Sequence, residues 1–579
     1  GPHSFYWFSL EKKMLRGRLI CEQTDLLPTE QLTHNVSSLE DLLSPAVWQK
    51  MRLRLPLFLE ALPLQPVGCN VRSATIIDGF ILPSGNHVVY VVRAETTAVA
   101  STRTLIALSL RPGAGDRSDG LLARIKLGEV MYELTDATFD SHWQLWLYEF
   151  AMSGKRIKGA EGLLLSRRYS GFNKPVGSSQ PEVINADHNH LSVLFRPYHA
   201  LKLFRQMEDG IHPEKELGRF LQDRTSFNKA PAVEASIEYQ LSNGGVSTLA
   251  VMNTFLPHRS DGVHLMRESL LPFFESALMI GSPAGSLDQL LPPSPSPLRL
   301  ATSPPNEQVR IAIGPMIETA GRIGRLTHEL HVALASDSED RAFAPEPYTV
   351  HYQKQLSHGM RHLLDFLLAQ LSEIRATPEE KPSKNIEQLL RRKGQIETLF
   401  KHLAQKPIHS YRFRTHGDYH LGQLLVGEHG ELSIIDFEGR PTRPLTERRI
   451  KRSPLRDLAS MLWSLYSCVH QLAASHVTNI LPGTDRTQLR KVADVWCRWV
   501  SAAFLRAYFD AAHDLPPMHP AGVHRVHDAA LLLDCFCILH GLEKLENELL
   551  ATEKIDEISL AGLLFWLDSS ATAPLRAKG

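Results

Sequence analysis

The sequence predicts an α+β protein of two lobes, the first β-rich and the second helical, with an α/β cap in front of them. Three observations carry this. Between about residues 183 and 255, β-rich runs and one helical segment follow the order strand, strand, helix, strand, strand. From Gly262 onward apolar residues recur at helical spacing almost to the C-terminus. At 579 residues the chain is too long for one hydrophobic core, so three or more domains are expected.

Taken in order, residues 1–13 form a short aromatic, strand-like tail with no partner of its own. Residues 35–63 are Leu-rich with a helical period. The runs 74–80, 87–94 and 104–110 are β-rich and separated by Gly, Pro and Asn turns, and a further group follows around 121–134 and 142–151. Residues 14–175 are therefore read as a helical segment and cap, and 176–260 as the β-rich lobe. Within that lobe, runs 183–195 and 199–204 are strands joined at Arg196-Pro197-Tyr198, and 213–222 is a helix. Runs 233–241 and 247–255 pair around Ser242-Asn-Gly-Gly245, a good hairpin turn. The helical lobe spans 261–579. It is interrupted by a Pro/Ser-rich loop at 282–305 and a polar break at 378–384. Helices are expected at 306–336, 349–376, 454–474, 487–512 and 524–550. No repeat of solenoid period is present.

Composition narrows the function. The 63 basic and 63 acidic residues cancel, which gives no support to nucleic acid or an anionic membrane as the main partner. No apolar run is long enough to span a bilayer; the richest, 529–542, carries Asp534 and His540 and reads as a core helix. There is no signal peptide. The six cysteines are scattered without a CxxC pair, as expected of reduced, buried thiols in a cytoplasmic protein. The chain opens on Gly1 rather than Met, which reads as a fragment or a processed product.

The chemistry concentrates in Arg414-Thr-His-Gly-Asp-Tyr-His-Leu-Gly-Gln-Leu-Leu-Val426 and Ile434-Ile-Asp-Phe-Glu-Gly439. Phosphoryl transfer needs a carboxylate to deprotonate the attacking hydroxyl, and oxygen ligands that hold Mg²⁺ on the nucleotide phosphates. Asp418 fits the first task; Gln423, five residues on, and Asp436 fit the second. Gln stands where protein kinases use Asn, and Glu where they use Gly, so the pattern is not a protein-kinase signature. Lys202, on a strand, and Glu216, on the next helix, have the order of the ion pair that grips the α/β-phosphates. No glycine-rich phosphate loop exists; the turn 187–192 takes its place, with Ser192 as the candidate contact. Backbone at Asn253–Phe255, after the last strand of the lobe, is expected to meet adenine. Arg448, Arg449 and Arg452 form a basic cluster that suits a phosphate, a helix end or a solvated face. His358/His362 and His328/His331 lack a third ligand and read as solvated helix histidines.

The pattern HGDxHxxQ followed by DFEG resembles the aminoglycoside-phosphotransferase-like small-molecule kinases, and among them the maltokinases. The likeness covers about residues 180–465. It includes the Leu201-Lys-Leu-Phe-Arg205 strand, Thr327-x-Glu-Leu-His331, Phe343-Ala-Pro-Glu-Pro347 and Ser453-Pro-Leu-Arg-Asp457. It implies a bilobal protein-kinase-like fold, ATP and Mg²⁺ as cofactors, and phosphorylation of maltose at its anomeric hydroxyl to maltose 1-phosphate for α-glucan synthesis. It implies supporting roles for His416, which orients the catalytic loop, and Asp457, which hydrogen-bonds that loop from below; a helix N-terminal carboxylate is the other reading of Asp457. The opening GPHSFYWFSL resembles the last strand of trehalose synthases, so such a module in the same polypeptide or complex is an expected partner. Two departures stand out. An Arg-Trp-Phe-Gly-Gly-Lys-like cap motif is replaced by Leu64–Asn70, and the spaced tyrosines of the last long helix by His540–Glu548. Glu543 and Asn547 are thereby the candidate acceptor contacts. A kinase for another sugar or amino sugar, or a degenerate binding domain of a trehalose synthase fusion, are the alternatives.

Overall fold

The computed structural model describes residues 33–62, 70–83, 85–96, 101–113, 120–169, 180–187, 190–279, 290–376, 383–475, 486–515, 519–522, 525–552 and 554–571. The tail 1–13, most of Leu64–Asn70, residues 282–289 of the Pro/Ser-rich loop and 378–382 of the polar break lie outside them.

The cap is a six-stranded sheet in the order β1-β5-β6-β4-β3-β2. Its strands are β1 Thr33–Val36, β2 Val71–Ile81, β3 His87–Thr96, β4 Thr102–Pro112, β5 Leu121–Leu127 and β6 Val130–Asp136. The Leu-rich segment folds as two short helices, Pro45–Met51 and Leu55–Ala61, whose Val47, Leu55, Phe58 and Leu59 pack into the cap core. The run around 142–151 is the helix Ser141–Ser153, started by the Asp140 carboxylate on the His142 N–H at 2.9 Å.

The N-terminal lobe is a seven-stranded sheet in the order β7-β8-β12-β13-β11-β10-β9. It comprises β7 Arg156–Lys158, β8 Gly162–Arg168, β9 Glu182–Ala186, β10 His190–Phe195, β11 His199–Phe204, β12 Val233–Leu241 and β13 Val246–Thr254. Two expectations change here. The run 183–195 is two strands rather than one, because Asp187 turns the chain and its carboxylate takes the His190 N–H at 3.0 Å. Residues 156–168, assigned to the cap from sequence, pair with β12 over Gly162–Arg168 and so extend the lobe's sheet. Cap and lobe share one core: Phe80, Val89 and Trp143 cluster with Val193, Ile237 and Tyr239.

The C-terminal lobe is helical except for two-residue pairings and the hairpin β17 Leu424–Val426 with β18 Leu432–Ile434. Its long helices are Gly262–Met279, Met316–Leu334, Val350–Ala376, Leu455–Ser475, Arg486–His513, Val526–Thr552 and Glu557–Asp568. The expected helix 306–336 is split at Gly314-Pro315, where Gly314 has a φ of 62°. Cys468, Cys497, Cys535 and Cys537 are free and buried in this lobe. Among the described residues no helix is long and apolar enough to cross a membrane.

Close helix contact positions the site. Gly324 faces Phe504 so tightly that an added Cβ would stand 2.3 Å from the Phe504 carbonyl oxygen. That contact fixes Met316–Leu334, which carries His331, against Arg486–His513, which carries Tyr508. Gly324→Ala should cost about 1–3 kcal/mol, because the obstacle is backbone and cannot rotate away. A denaturant titration of the two proteins would measure it, and an unchanged midpoint would contradict the packing.

Candidate active site

The hairpin β10–β11 sets Ser192 opposite Lys202, so both project from one face of the sheet toward the helical lobe. The Lys202 ammonium crosses the gap and donates to Asp436 Oδ1 at 2.5 Å and Glu438 Oε1 at 2.8 Å. Asp436 follows β18 with a φ of 67°, the one non-glycine residue with positive φ among those described. Such a conformation is costly for a residue with a Cβ and recurs where a side chain must be aimed. Gln423, at the start of β17, donates to Asp436 Oδ2 at 3.0 Å.

The expected pairing of Lys202 with Glu216 is not what the structure shows. Glu216 turns away and is held by Arg414 at 2.7 Å and Arg449 at 2.6 Å. Glu214 instead lies close enough to Lys202 for their charges to interact, and it accepts from Asn253 Nδ2 at 2.9 Å. Two residues along a helix are about 200° apart, so only one of these glutamates can face the cleft. The local pattern Glu214-Lys215-Glu216 does not say which.

Three carboxylates, the buried Glu214 and Glu438 and the half-buried Asp436, thus surround one ammonium. Burial pushes the Glu438 carboxyl up, and Asp436 adds to the effect against Lys202. Burial likewise raises Glu214. Burial also opposes ionisation of Asp436, but Lys202 and His190 outweigh it and hold that group below the usual carboxylate range. Glu214 Oε2 is buried with no hydrogen-bond partner. His190 and His212 border the cluster, each 3.9 Å from Glu438. Its surplus of carboxylates over ammonium, its orphaned carboxylate oxygen and the hard oxygens of Asp436, Glu438 and Gln423 fit a divalent cation such as Mg²⁺. Among the described residues no three His, Cys, Asp or Glu side chains form a closed metal cage.

Asp418 sits beside this cluster at the other end of the catalytic loop. It is buried, and its Oδ1 has no hydrogen-bond partner; the Arg440 Nε stands 3.7 Å away. Burial raises its carboxyl to about 6, against the opposing charges of Arg440 and His416. The loop is held from below. Asp457 accepts the His416 N–H at 2.8 Å and the Gly417 N–H at 3.1 Å. His416 Nε2 donates to the Ile435 carbonyl at 2.9 Å, tying the loop to β18. Asp457 also lies in the first turn of Leu455–Ser475, so both readings of it describe one side chain.

His331 escaped the sequence reading. It is fully buried rather than solvated, 3.3 Å from Asp457 through Nε2 and 2.9 Å from the Tyr508 hydroxyl through Nδ1. His328 is buried as well. The Thr327-x-Glu-Leu-His331 motif was visible, but its partner lies 126 residues away.

The remaining candidates divide. Ser192 lies by the cleft, under a turn built with Asp187 rather than glycine. Asn253 faces Glu214, and the Phe255 N–H is spent on the Tyr198 carbonyl at 2.7 Å, so that group is not open to a base. Glu543 is buried and clamped by Arg440 and by Arg456, the latter at 2.9 Å. It lines a cavity of about 170 Å³ beside Gly417 and Gly439. Asn547, one turn further on, is not among the residues lining it.

No family model matches the sequence. A glucosamine kinase of Streptacidiphilus jiangxiensis is 24% identical over 193 residues, which is 33% of this chain and 37% of that relative, so the aligned part spans little more than a third of its length. Two crystal forms of a glucosamine kinase match the structure with TM-scores of 0.51 and 0.50 at 17% and 18% identity. They cover 88% and 87% of this chain and 95% and 90% of theirs. The fold is thereby α+β and kinase-like, with the cap included in the matched length.

Among the described residues Glu216 is the one carboxylate paired with Arg414, and the Arg414 side chain is 2% exposed. Glu216→Gln should therefore destabilise the protein by about 3 kcal/mol, the scale of a broken buried ion pair. Glu214→Gln should not, since it relieves crowded negative charge. Parallel denaturant titrations would show the order, and the reverse ranking would contradict the pairing.

Proposed function

We propose that this chain is an ATP- and Mg²⁺-dependent kinase acting on a hydroxyl of a sugar or amino sugar. The observation that carries the reading is the juxtaposition of a buried Asp418 oxygen that makes no hydrogen bond with the Lys202–Asp436–Gln423 cluster. In this reading Asp418 accepts the proton of the acceptor hydroxyl as its oxygen bonds to the γ-phosphorus. The bond from that phosphorus to the β,γ-bridging oxygen breaks, and ADP leaves with the electron pair. Lys202 grips the phosphates, Glu214 and Glu438 keep it oriented, and Ser192 lies where it can cover them. Asp436, Gln423 and Glu438 would hold the Mg²⁺, which when bound offsets phosphate charge.

The glucosamine kinase relatives support a small sugar or amino sugar as acceptor. Maltose, transferred at its anomeric hydroxyl, rests on the sequence motifs alone, as do the trehalose synthase partner and a cytoplasmic location. An ATP-consumption screen over glucose, glucosamine, maltose and trehalose, with the product located by NMR, tests the assignment. The degenerate-domain reading requires that the screen find no turnover at all; the intact Lys202, Asp418, Gln423 and Asp436 speak against it.

Asp418→Asn should lower turnover by about 10²–10⁴-fold while nucleotide still binds. A base must be ionised to accept a proton, and burial raises this one to about 6. The wild-type rate should accordingly fall as pH drops through 6, by about tenfold per unit below it. A flat profile from pH 7 to 5 would remove Asp418 from the mechanism.

Lys202→Met and Asp436→Ala should both weaken nucleotide use more than acceptor binding, and Asp436→Ala should also blunt the Mg²⁺ dependence. Nucleotide titrations at several Mg²⁺ concentrations read this directly. A defect confined to the acceptor KM would overturn the assignment of the two residues.

A further inference from the structure

The cavity beside Asp418 is walled by guanidinium groups. Arg440 and Arg443 come from the loop after Gly439, Arg448 and Arg452 from the segment after it, and Arg456 from the start of Leu455–Ser475. Most have a counter-charge. Arg440 and Arg456 share Glu543, Arg448 is held by Glu208, and Arg443 reaches Glu546 at 3.4 Å. Asp457 also lines the cavity, but both its oxygens are engaged with the catalytic loop and His331.

Arg452 is the exception. Its one side-chain hydrogen bond among the described residues is to the Glu447 carbonyl at 3.4 Å, and none of those residues places a carboxylate within ion-pair distance of it. The neighbouring Arg456 charge, and then burial, lower its ionisation to about 10, while Glu543 and Glu447 act in the opposite sense from beyond ion-pair distance. A largely buried guanidinium without an anion is costly, and its planar fork matches a carboxylate or phosphate two bonds at a time. Glu447 lines the same cavity and makes no ion pair among the described residues, so an amine on the same ligand is also accommodated.

We propose that this cavity reads an oxyanion on the acceptor, with Arg452 as its contact, so that the acceptor is a sugar or amino sugar that itself carries a carboxylate or phosphate. The proposal rests on the kinase reading above and narrows its substrate class. Transfer still goes to a hydroxyl beside Asp418, and the anion anchors the acceptor without entering the bond changes. The basic cluster seen in the sequence thereby divides by task. Arg449 serves Glu216, Arg448 serves Glu208 and His212, and Arg452 faces the cavity.

The test compares kcat/KM for glucose and glucosamine with that for glucuronate, muramate and glucose 6-phosphate, in the wild-type chain and in Arg452→Gln and Arg452→Lys. A charge-assisted fork corresponds to about ten- to a hundredfold in affinity. At least one acid-bearing acceptor should exceed its neutral counterpart by that factor; a carboxylate preferred over the phosphate, or the reverse, identifies the anion. Arg452→Gln should erase the advantage through KM, at least about tenfold more for the acidic acceptor than for the neutral one, with Arg452→Lys between them. A neutral or purely cationic sugar as best acceptor would overturn the proposal. So would an equal loss on all acceptors in Arg452→Gln, which would place the residue on the transferring phosphoryl group. Calorimetric titration with glucuronate and glucose 6-phosphate reads binding without turnover. If the wild-type chain phosphorylates nothing, the kinase reading fails. The anion site then stands if binding is present and lost in Arg452→Gln, and falls if neither acid binds.

Discussion

One ammonium between two carboxylates joins the lobes. Lys202 reaches from the central strands of the N-terminal sheet to Asp436 and Glu438 on the far side of the cleft. Everything around it follows from keeping that contact in place. The β10–β11 pairing fixes the strand that carries it, and the β17–β18 hairpin fixes the segment it meets. The left-handed backbone of Asp436 turns the carboxylate toward the cleft. The contact is not neutral as it stands. Glu214, Asp436 and Glu438 outnumber the lysine, and burial makes the surplus costly. In the proposed function a cation would complete a cleft so charged and turn it into a receptor for phosphates rather than a closed salt bridge.

The catalytic loop has a second, independent support. Its two backbone N–H groups at His416 and Gly417 need acceptors, because the loop is buried and makes no ladder there. Asp457 supplies both oxygens, and His331 with Tyr508 fixes Asp457 in turn. Gly417 and Gly439 face each other with positive φ, so the loop and the segment after Phe437 approach without side chains between them. That approach sets Asp418 next to Gly417 and Arg440, which line the cavity, and leaves one of its oxygens without a hydrogen bond.

What was legible in the sequence was local. The residues of His416–Gln423 and Asp436–Gly439 lie within a few positions of one another, and the spacing alone defines which side chains share a loop. The order of strands and helix in the N-terminal lobe was legible for the same reason, since periodicity is a property of neighbours. Two corrections are local, the turn at Asp187 and the break at Gly314-Pro315; those that matter for the site are long-range. Glu214 and Glu216 look alike until Arg414, almost two hundred positions away in sequence, claims the second of them. His331 looked like a solvated helix residue because Asp457 and Tyr508 are far along the chain. The strands at 156–168 read as part of the cap because their pairing partner, β12, comes after the first helix of the lobe. The kinase-like fold was recovered and the exact partners were not.

The acceptor side shows how one departure from a family pattern can relocate specificity. Where tyrosines were expected on the last long helix, Glu543 is present, and the natural reading is a new hydrogen-bond partner for the acceptor. Its burial and its two arginines argue otherwise. A carboxylate already clamped by Arg440 and Arg456 has little left to offer a sugar hydroxyl; it acts as the counter-ion that lets those arginines be buried at all. Arg440 in turn stands 3.7 Å from Asp418, so the same ion pair sets the field at the base. The helix thus contributes Phe536, His540 and a charge already spoken for to the cavity wall, and under the proposal above selectivity passes to the arginine-bearing segment between Gly439 and Asp457. In the proposed function a segment fixed at both ends, by the loop at Gly417 and by Leu455–Ser475, would hold an acceptor in register with Asp418, whereas Asn547, a turn further along the helix, does not line the cavity.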